Sequence, residues 1–225
     1  MKSCKHKCGL TLVEMLVVVA IIALLATMVI DVAARLDSKA KERLAENTLA
    51  VLTAALEQFH DYGYSYPAPF SEFEFPLDCN GFSVDMVQTT LATALGAGSV
   101  VISGGTHDPS YSGSAVLYFL LSRVPECKNT LQSIDRSLVT HEDALGNRMR
   151  IVVDGREYPW ARIVDPWFVR AEGSRTGKAL RYDCYTETVI PPDPKETRNF
   201  PLVTFAGPDG RFDTADDIIS RPGSR

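Results

Sequence analysis

GLTLVEMLVVVAIIALLATMVI, Gly9 to Ile30, is an apolar run with one formal charge, Glu14. From Leu10 on it has roughly the ~20 residues that a helix needs to cross a bilayer. A cleaved secretory signal has a shorter apolar stretch followed by a small-residue site; none appears cleanly before Asp31. Past the run, Val32, Leu36, Ala40, Leu44, Thr48, Val51, Ala55 and Phe59 recur every three or four residues. Arg35, Lys39, Glu42, Arg43, Glu46 and Glu57 fall mostly between them, which is the pattern of an amphipathic helix. No Pro or Gly interrupts Leu10 to His60. The spacing predicts one helix of about 50 residues, on the order of 75 Å long at ~1.5 Å per residue. Residues 10–30 are its transmembrane half, and residues 31–62 are an amphipathic half that docks on a globular domain.

A carboxylate deep in a bilayer costs roughly 2.5–3.5 kcal/mol and is rare unless paired. Lysines ahead of the run could serve as partners. Cleavage after Gly9 would create a better one, the new α-amino group of Leu10. In a helix packed against copies of itself, Glu14 of one chain could meet that amine on the next, neutralising both charges and fixing the axial register.

The short basic leader with Lys2, Lys5 and Lys7, then Gly9, Leu10-Thr11-Leu12-Val13-Glu14 and the apolar helix resemble the class III signal of type IV pilins and type II secretion pseudopilins. The resemblance implies that residues 1–9 are a leader, that a prepilin peptidase cuts between Gly9 and Leu10 and methylates Leu10, and that Glu14 guides subunit assembly. It also implies a single-pass protein of the bacterial inner membrane, with a cytoplasmic N-terminus and a periplasmic domain. Leu10 departs from the Phe or Met usual after the cut. Arg35, Lys39, Lys41 and Arg43 follow the span closely, so charge counting leaves orientation ambiguous.

With 225 residues and 45% hydrophobic content, the chain can bury one ordinary core beyond the anchor. The net charge of −5 becomes more acidic without the leader, which argues against nucleic acid as a partner. Cys79, Cys127 and Cys184 in the body allow at most one internal disulfide, in any of three pairings. Cys4, His6 and Cys8 supply only three possible metal ligands in the leader, fewer than a closed structural site needs.

The helix is expected to stop at Asp61-Tyr62-Gly63, with Pro67 and Pro69 preventing resumption. The stretch Phe59 to Pro67 is similar to the D-x-G-x-Y-P region that follows the long helix in major pseudopilins, and its tyrosines read as packing residues. Short helices are expected over Val84 to Leu95 and Ala115 to Arg123, separated by the Gly/Ser-rich Gly96 to Gly113. Gly96-Ala97-Gly98-Ser99-Val100-Val101 fails the G-x-G-x-x-G pattern. Compact major pseudopilins have less in this interval, so residues around 70–140 read as an insertion within the 63–225 domain and a candidate partner-binding face. Antiparallel strands are expected over Arg148 to Val153, turning at Asp154-Gly155, then Ala161 to Val164, Trp167 to Ala171, Leu180 to Thr188 and Pro201 to Phe205. Pro191-Pro192-Asp193-Pro194 reads as a stiff connector. Asp165-Pro166-Trp167 resembles the D-P-W-G of major pseudopilins, with Phe168 in place of the glycine. The fold class is α+β: a long N-terminal helix packed on a small antiparallel sheet, pilin-like.

Residues 205–218 end the pattern. Gly207-Pro208-Asp209-Gly210-Arg211-Phe212-Asp213-Thr214-Ala215-Asp216-Asp217-Ile218 concentrates carboxylates between glycines. Hard cations such as Ca²⁺ collect such oxygens, with backbone carbonyls, on a sharply curved loop. The spacing is not that of an EF-hand, and the composition suits a solvated acidic turn equally well. The stretch is similar to the calcium loop of major pseudopilins. That resemblance implies Ca²⁺ ligands at Asp209, Asp216 and Asp217, with Asp213 a further candidate and carbonyls near Phe205 contributing.

His60, His107 and His141 are unclustered, and no G-x-S-x-G, H-E-x-x-H or C-x-x-C occurs. Ser110, Ser112 and Ser114 near His107 read as loop polarity, with Asp108 the only carboxylate beside them, so no enzyme is expected. The resemblance implies a structural subunit of a type II secretion pseudopilus. Its partners would be the prepilin peptidase, copies of itself, other pseudopilins, the inner-membrane secretion machinery and the membrane. The alternatives are a type IV pilus subunit and a membrane-anchored extracytoplasmic binding protein or enzyme.

Overall fold

The computed structural model describes residues 12–65, 75–143, 145–167, 169–171, 174–176, 180–184 and 201–220. Helix α1 runs unbroken from Leu12–Ser65. It passes through Gly63, so the expected stop at that glycine is displaced by one half-turn: a lone glycine costs only about 1 kcal/mol within a helix, too little to end one this long. The Tyr66 and Pro67 end of the turn, the cut at Gly9 and Leu10, Phe168 and the Pro191–Pro194 connector lie outside the described residues. The chain divides into two compact units, residues up to Ala40 and residues from Lys41 on. In the first, the described side chains of α1 are exposed.

The second unit holds the core. Ala45, Leu49, Leu52, Ala55, Leu56 and Phe59 of α1 are buried, at the three- and four-residue spacing that one helix face requires. Helix α2 is Val84–Leu95, as the periodicity predicts; Ser83 caps its start and Gly96, at φ 58, closes its end in the left-handed region. Gly96, the first residue of the Gly/Ser-rich stretch between the expected helices, is the helix stop. The β-branched Val100-Val101-Ile102 that follows forms strand β1, Val100–Ser103, which the sequence reading passed over.

Helix α3, Ser112–Arg123, begins a turn earlier than expected and is buried on nearly all sides, from Ser112 to Leu121. Such a helix belongs at the centre of a domain. The interval around 70–140 supplies this core helix. Helix α4, Pro125–Leu131, starts with proline in its first turn. It is tied to α1 by the Cys127 thiol donating to the Ala55 carbonyl (3.2 Å) and by the Thr130 hydroxyl donating to Gln58 Oε1 (2.7 Å).

The strands that follow are β2 Val139–Thr140, β3 Arg150–Val153, β4 Arg156–Pro159, β5 Arg162–Ile163, β6 Val169–Ala171, β7 Ser174–Thr176, β8 Arg181–Asp183, β9 Leu202–Phe205 and β10 Ile218–Ile219. Instead of one small sheet they make several antiparallel ones, ordered β1-β3-β4, β10-β9-β8, β2-β5 and β6-β7. Between β3 and β4 the hairpin turns at Asp154 and Gly155 (φ 47 and 78) as predicted, because a two-residue turn matched to strand twist needs two left-handed residues. Tyr182 of β8 is fully buried and donates its hydroxyl to the Pro76 carbonyl (2.9 Å), joining the third sheet element to the chain ahead of α2.

Candidate functional site

The N-terminal end of α1 is one candidate. Leu12–Val29 is long and apolar enough to cross a membrane, and none of it is buried within the chain. Leu12 is 80% exposed and Val29 67%. In water this would leave a continuous apolar surface with no counterpart, whereas in lipid it is the solvated state. Glu14 lies in the first described turn and is exposed, where a carboxylate also complements the positive end of the helix dipole.

The acidic loop is the other. It connects β9 to β10, and pairing of Phe205 with Ile218 pins its two ends together. Three left-handed residues, Gly207 (φ 63), Gly210 (φ 65) and Asp213 (φ 67), curve it; aspartate is among the few non-glycine residues that adopt this conformation. Asp209 Oδ1 accepts from the Arg211 N–H (2.7 Å), an Asx turn. The Thr214 hydroxyl donates to Asp216 Oδ1 (2.6 Å) and stands 3.4 Å from Asp217 Oδ1, so it brings those two carboxylates together. The Asp209 N–H donates to Asp216 Oδ2 (3.1 Å), and the Asp213 N–H donates to Asp217 Oδ2 (2.7 Å). The Thr214 bond, followed by the Asp209 N–H, holds the Asp216 carboxyl below its ordinary range.

Asp213 has a different fate. Both its oxygens are taken by Arg181 of β8, at 2.8 and 3.0 Å, while the same guanidinium donates to Asp183 (3.1 Å) and lies over the Phe212 ring. The Arg181 hydrogen bonds depress the Asp213 carboxyl. Asp213 therefore fastens the loop to the sheet, and the carboxylates gathered within the loop are Asp209, Asp216 and Asp217. Among the described residues no three His, Cys, Asp or Glu side chains converge as a metal-ligand group. The loop does have a cradle: a Cβ on Gly207 would lie 2.8 Å from Asp216 Oδ2 and collide with the Asp216 carbonyl. An all-oxygen donor set on a curved backbone, two carboxylates side by side, suits Ca²⁺ with main-chain carbonyls completing the shell.

The serines near His107 are brought together as well, with a polarity opposite to that of a nucleophile. His107 Nε2 lies 3.0 Å from Ser112 Oγ and 3.1 Å from the Phe82 carbonyl. In the tautomer that donates to the Phe82 carbonyl, this nitrogen offers no lone pair to the serine. Ser112 Oγ donates to the Phe82 or the Pro109 carbonyl (2.7 and 2.9 Å) and is fully buried. Asp108 is occupied with the Ser110 N–H and hydroxyl. The group is a loop clamp.

One buried carboxylate had no signal in the sequence. Asp143 is 1% exposed. Its Oδ1 accepts the Leu145 and Asn147 N–H groups, and its Oδ2 accepts the Thr106 N–H and the Asn147 side-chain amide, at 2.8–3.0 Å. Burial alone would push its carboxyl up, but these bonds hold it at about 2. Gly105 makes room: a Cβ there would sit 2.7 Å from Oδ2. Asp143 ties two loops together.

Residues 4–30 match the model of the prokaryotic N-terminal methylation motif. Comparison with curated proteins and with solved structures gave no match. The match covers the leader, the Gly9-Leu10 junction, Glu14 and the apolar span, so the N-terminal segment is a prepilin-type signal of the type IV pilin-like kind, and the exposed apolar helix behind it fits a membrane-anchored, single-pass protein.

Proposed function

We propose that this chain is a structural, non-enzymatic subunit of a type II secretion pseudopilus. A prepilin peptidase cuts between Gly9 and Leu10 and methylates Leu10. The mature helix then packs against copies of itself and other pseudopilins, with Glu14 meeting the neighbouring α-amine, and the filament grows in the periplasm at the inner-membrane secretion machinery. The observation that carries this reading is the methylation motif at residues 4–30 leading into a helix whose apolar surface the chain itself leaves uncovered. The loop of residues 205–218, with its resemblance to the major pseudopilin calcium loop, favours secretion over a type IV pilus. In this reading Asp209, Asp216, Asp217 and carbonyls near Phe205 hold Ca²⁺, which would offset the repulsion between adjacent carboxylates and stiffen the loop.

The test is the extracellular proteome of a strain lacking the gene. A set of exported proteins should disappear, return with the native gene, and stay absent with Glu14→Ala. An unchanged proteome accompanied by loss of surface filaments would assign the subunit to a pilus instead. Full function of Glu14→Ala would mean the helix is a tether only.

A further inference from the structure

Met86 to Thr106 contains no Asp, Glu, Lys or Arg, in a chain that is 23% charged and so carries on average about one charge in every four residues. It is the longest such run in the sequence, longer than the uncharged part of the membrane span, Met15 to Ile30. The run nevertheless lies at the surface. Met86, Thr89 and Thr93 of α2 are exposed, as are Val101 and the residues from Ser103 to Thr106. The Thr89 and Thr93 hydroxyls donate back to the Asp85 and Thr89 carbonyls (2.8 and 3.0 Å), which satisfies their protons within the helix. Beyond α1, the large apolar side chains exposed among the described residues are Met86, Val101, Leu145 and Ile219. Two of them stand on this run, and Leu145 is fastened to its end: Asp143 accepts the Thr106 N–H on one oxygen and the Leu145 N–H on the other, both at 2.9 Å. Loss of charge with exposed apolar side chains is the compositional mark of the centre of an interface.

Strand β1 supplies a means of binding, because it is an edge of the sheet ordered β1-β3-β4. The Asp154 N–H donates to the Ser99 carbonyl (3.0 Å), and the register pairs Val101 with Val152 and Ser103 with Arg150. By the alternation of an antiparallel ladder, Val101 and Ser103 then spend their backbone groups on β3, and those of Val100 and Ile102 point away from it. No hydrogen bond joins Val100 or Ile102 to another described residue on that outer side. The opposite edge, β4, carries Arg156, Glu157 and Pro159. Charge and proline are the ordinary protection of an exposed edge; β1 has neither.

We infer that β1 and the uncharged surface around it are a docking site for an extended, uncharged segment of another protein, which adds to the sheet as a strand outside β1. The backbone groups of Val100 and Ile102 pair with it, while Val101 and Leu145 pack against its side chains. A charged segment would lose hydration and find no counter-charge on the run. A lipid surface would meet no cation there and would leave the outward backbone groups unsatisfied. The inference holds for either kind of filament.

The experiment uses the full-length chain in the membranes of its own host, with the photo-cross-linker p-benzoylphenylalanine in place of Val101, Leu145 or, as an exposed apolar control, Ile219. Val101 and Leu145 should give the same adduct with a second protein, about tenfold above Ile219, and the attached peptide should be an uncharged stretch. Val101→Lys changes one exposed side chain and should cut the Leu145 adduct about tenfold while leaving the melting temperature unmoved. Ile102→Pro removes an outward N–H that the sheet itself does not use, and should do the same. No adduct above the Ile219 level, an adduct undiminished by Val101→Lys, or one formed with lipid or with a second copy of this chain would overturn the inference. An adduct that persists in Ile102→Pro would overturn the strand pairing.

Discussion

Replacing Asp143 with asparagine keeps the shape of the side chain and removes its charge, so it isolates what that buried carboxylate does. Its two oxygens accept four hydrogen bonds, two each. Asparagine can accept at one oxygen only; its amide nitrogen would point donors at two N–H groups. Losing two bonds to a charged acceptor, at ~1.5–3 kcal/mol each less the partial relaxation of the loops, predicts destabilisation of about 3 kcal/mol. The depression of the carboxyl by these same bonds points to a comparable figure. The carboxyl falls from an ordinary 3.8 to about 2 on folding, which corresponds to about 2 kcal/mol of stabilisation at neutral pH. For a domain of this size either value means a melting temperature lower by roughly 5–10 °C. The sign with pH follows from the depression: the contribution is complete above the unfolded value and fades as pH falls from about 4 toward 2. The assay is thermal unfolding of a fragment starting at Lys41, native and Asp143→Asn, at pH 7 and in steps down to pH 2.5. A native–variant gap of less than about 0.5 kcal/mol at pH 7, or one that stays constant on acidification, would refute the reasoning.

Ca²⁺ should raise the melting temperature of the native chain and leave Asp217→Ala unmoved; a calorimetric titration with no saturable heat would remove the metal from the proposal. Gly207→Ala must adopt φ 63 and place its Cβ against Asp216, so it should cost about 1–3 kcal/mol and, in the calcium reading, weaken the metal response. Arg181→Met releases Asp213, and limited proteolysis between Gly207 and Asp217 should then accelerate while the other sheets stay protected. The Cys79 and Cys127 thiols are buried and pushed up to about 12, so in the native fold both should resist alkylation at pH 8 and react once denaturant is added.

What could be read in the sequence followed the strength of local chemistry. The long helix was legible because its apolar period persists for many turns, and α2 because Ser83 and Gly96 bracket it. The Asp154-Gly155 hairpin was legible because few dipeptides suit a two-residue turn. Helix α3 was only partly legible: the apolar run Ala115 to Leu121 announces it, but its first residues, Ser112-Gly113-Ser114, have the composition of a loop although they are buried. The two-residue strands β2 and β10 lack any local signal, since they exist by pairing with distant partners, whereas β5 falls inside the expected strand Ala161 to Val164. At the sites, the loop glycines and aspartates announced a curved, oxygen-rich segment. That Asp213 would be drawn out of it by Arg181 depended on β8 lying alongside, a contact across 32 residues.

The carboxylates show why composition alone could not rank these sites. Asp143, Asp213 and Asp216 are the same side chain, and each is held below its ordinary titration range, yet by different means. Asp143 is saturated by four donors inside the protein and can take nothing further. Asp213 is matched by one guanidinium and so acts as a fastener. Asp216 shares a hydroxyl with Asp217 and accepts one N–H, which leaves lone pairs for an outside ligand and an adjacent negative charge that favours a cation. Removing the first should destabilise the fold, removing the second should loosen the loop, and removing the third should change what the chain responds to. Function in this fold is therefore sought where a carboxylate's partners are too few for its oxygens, a property set by its neighbours and not by the residue.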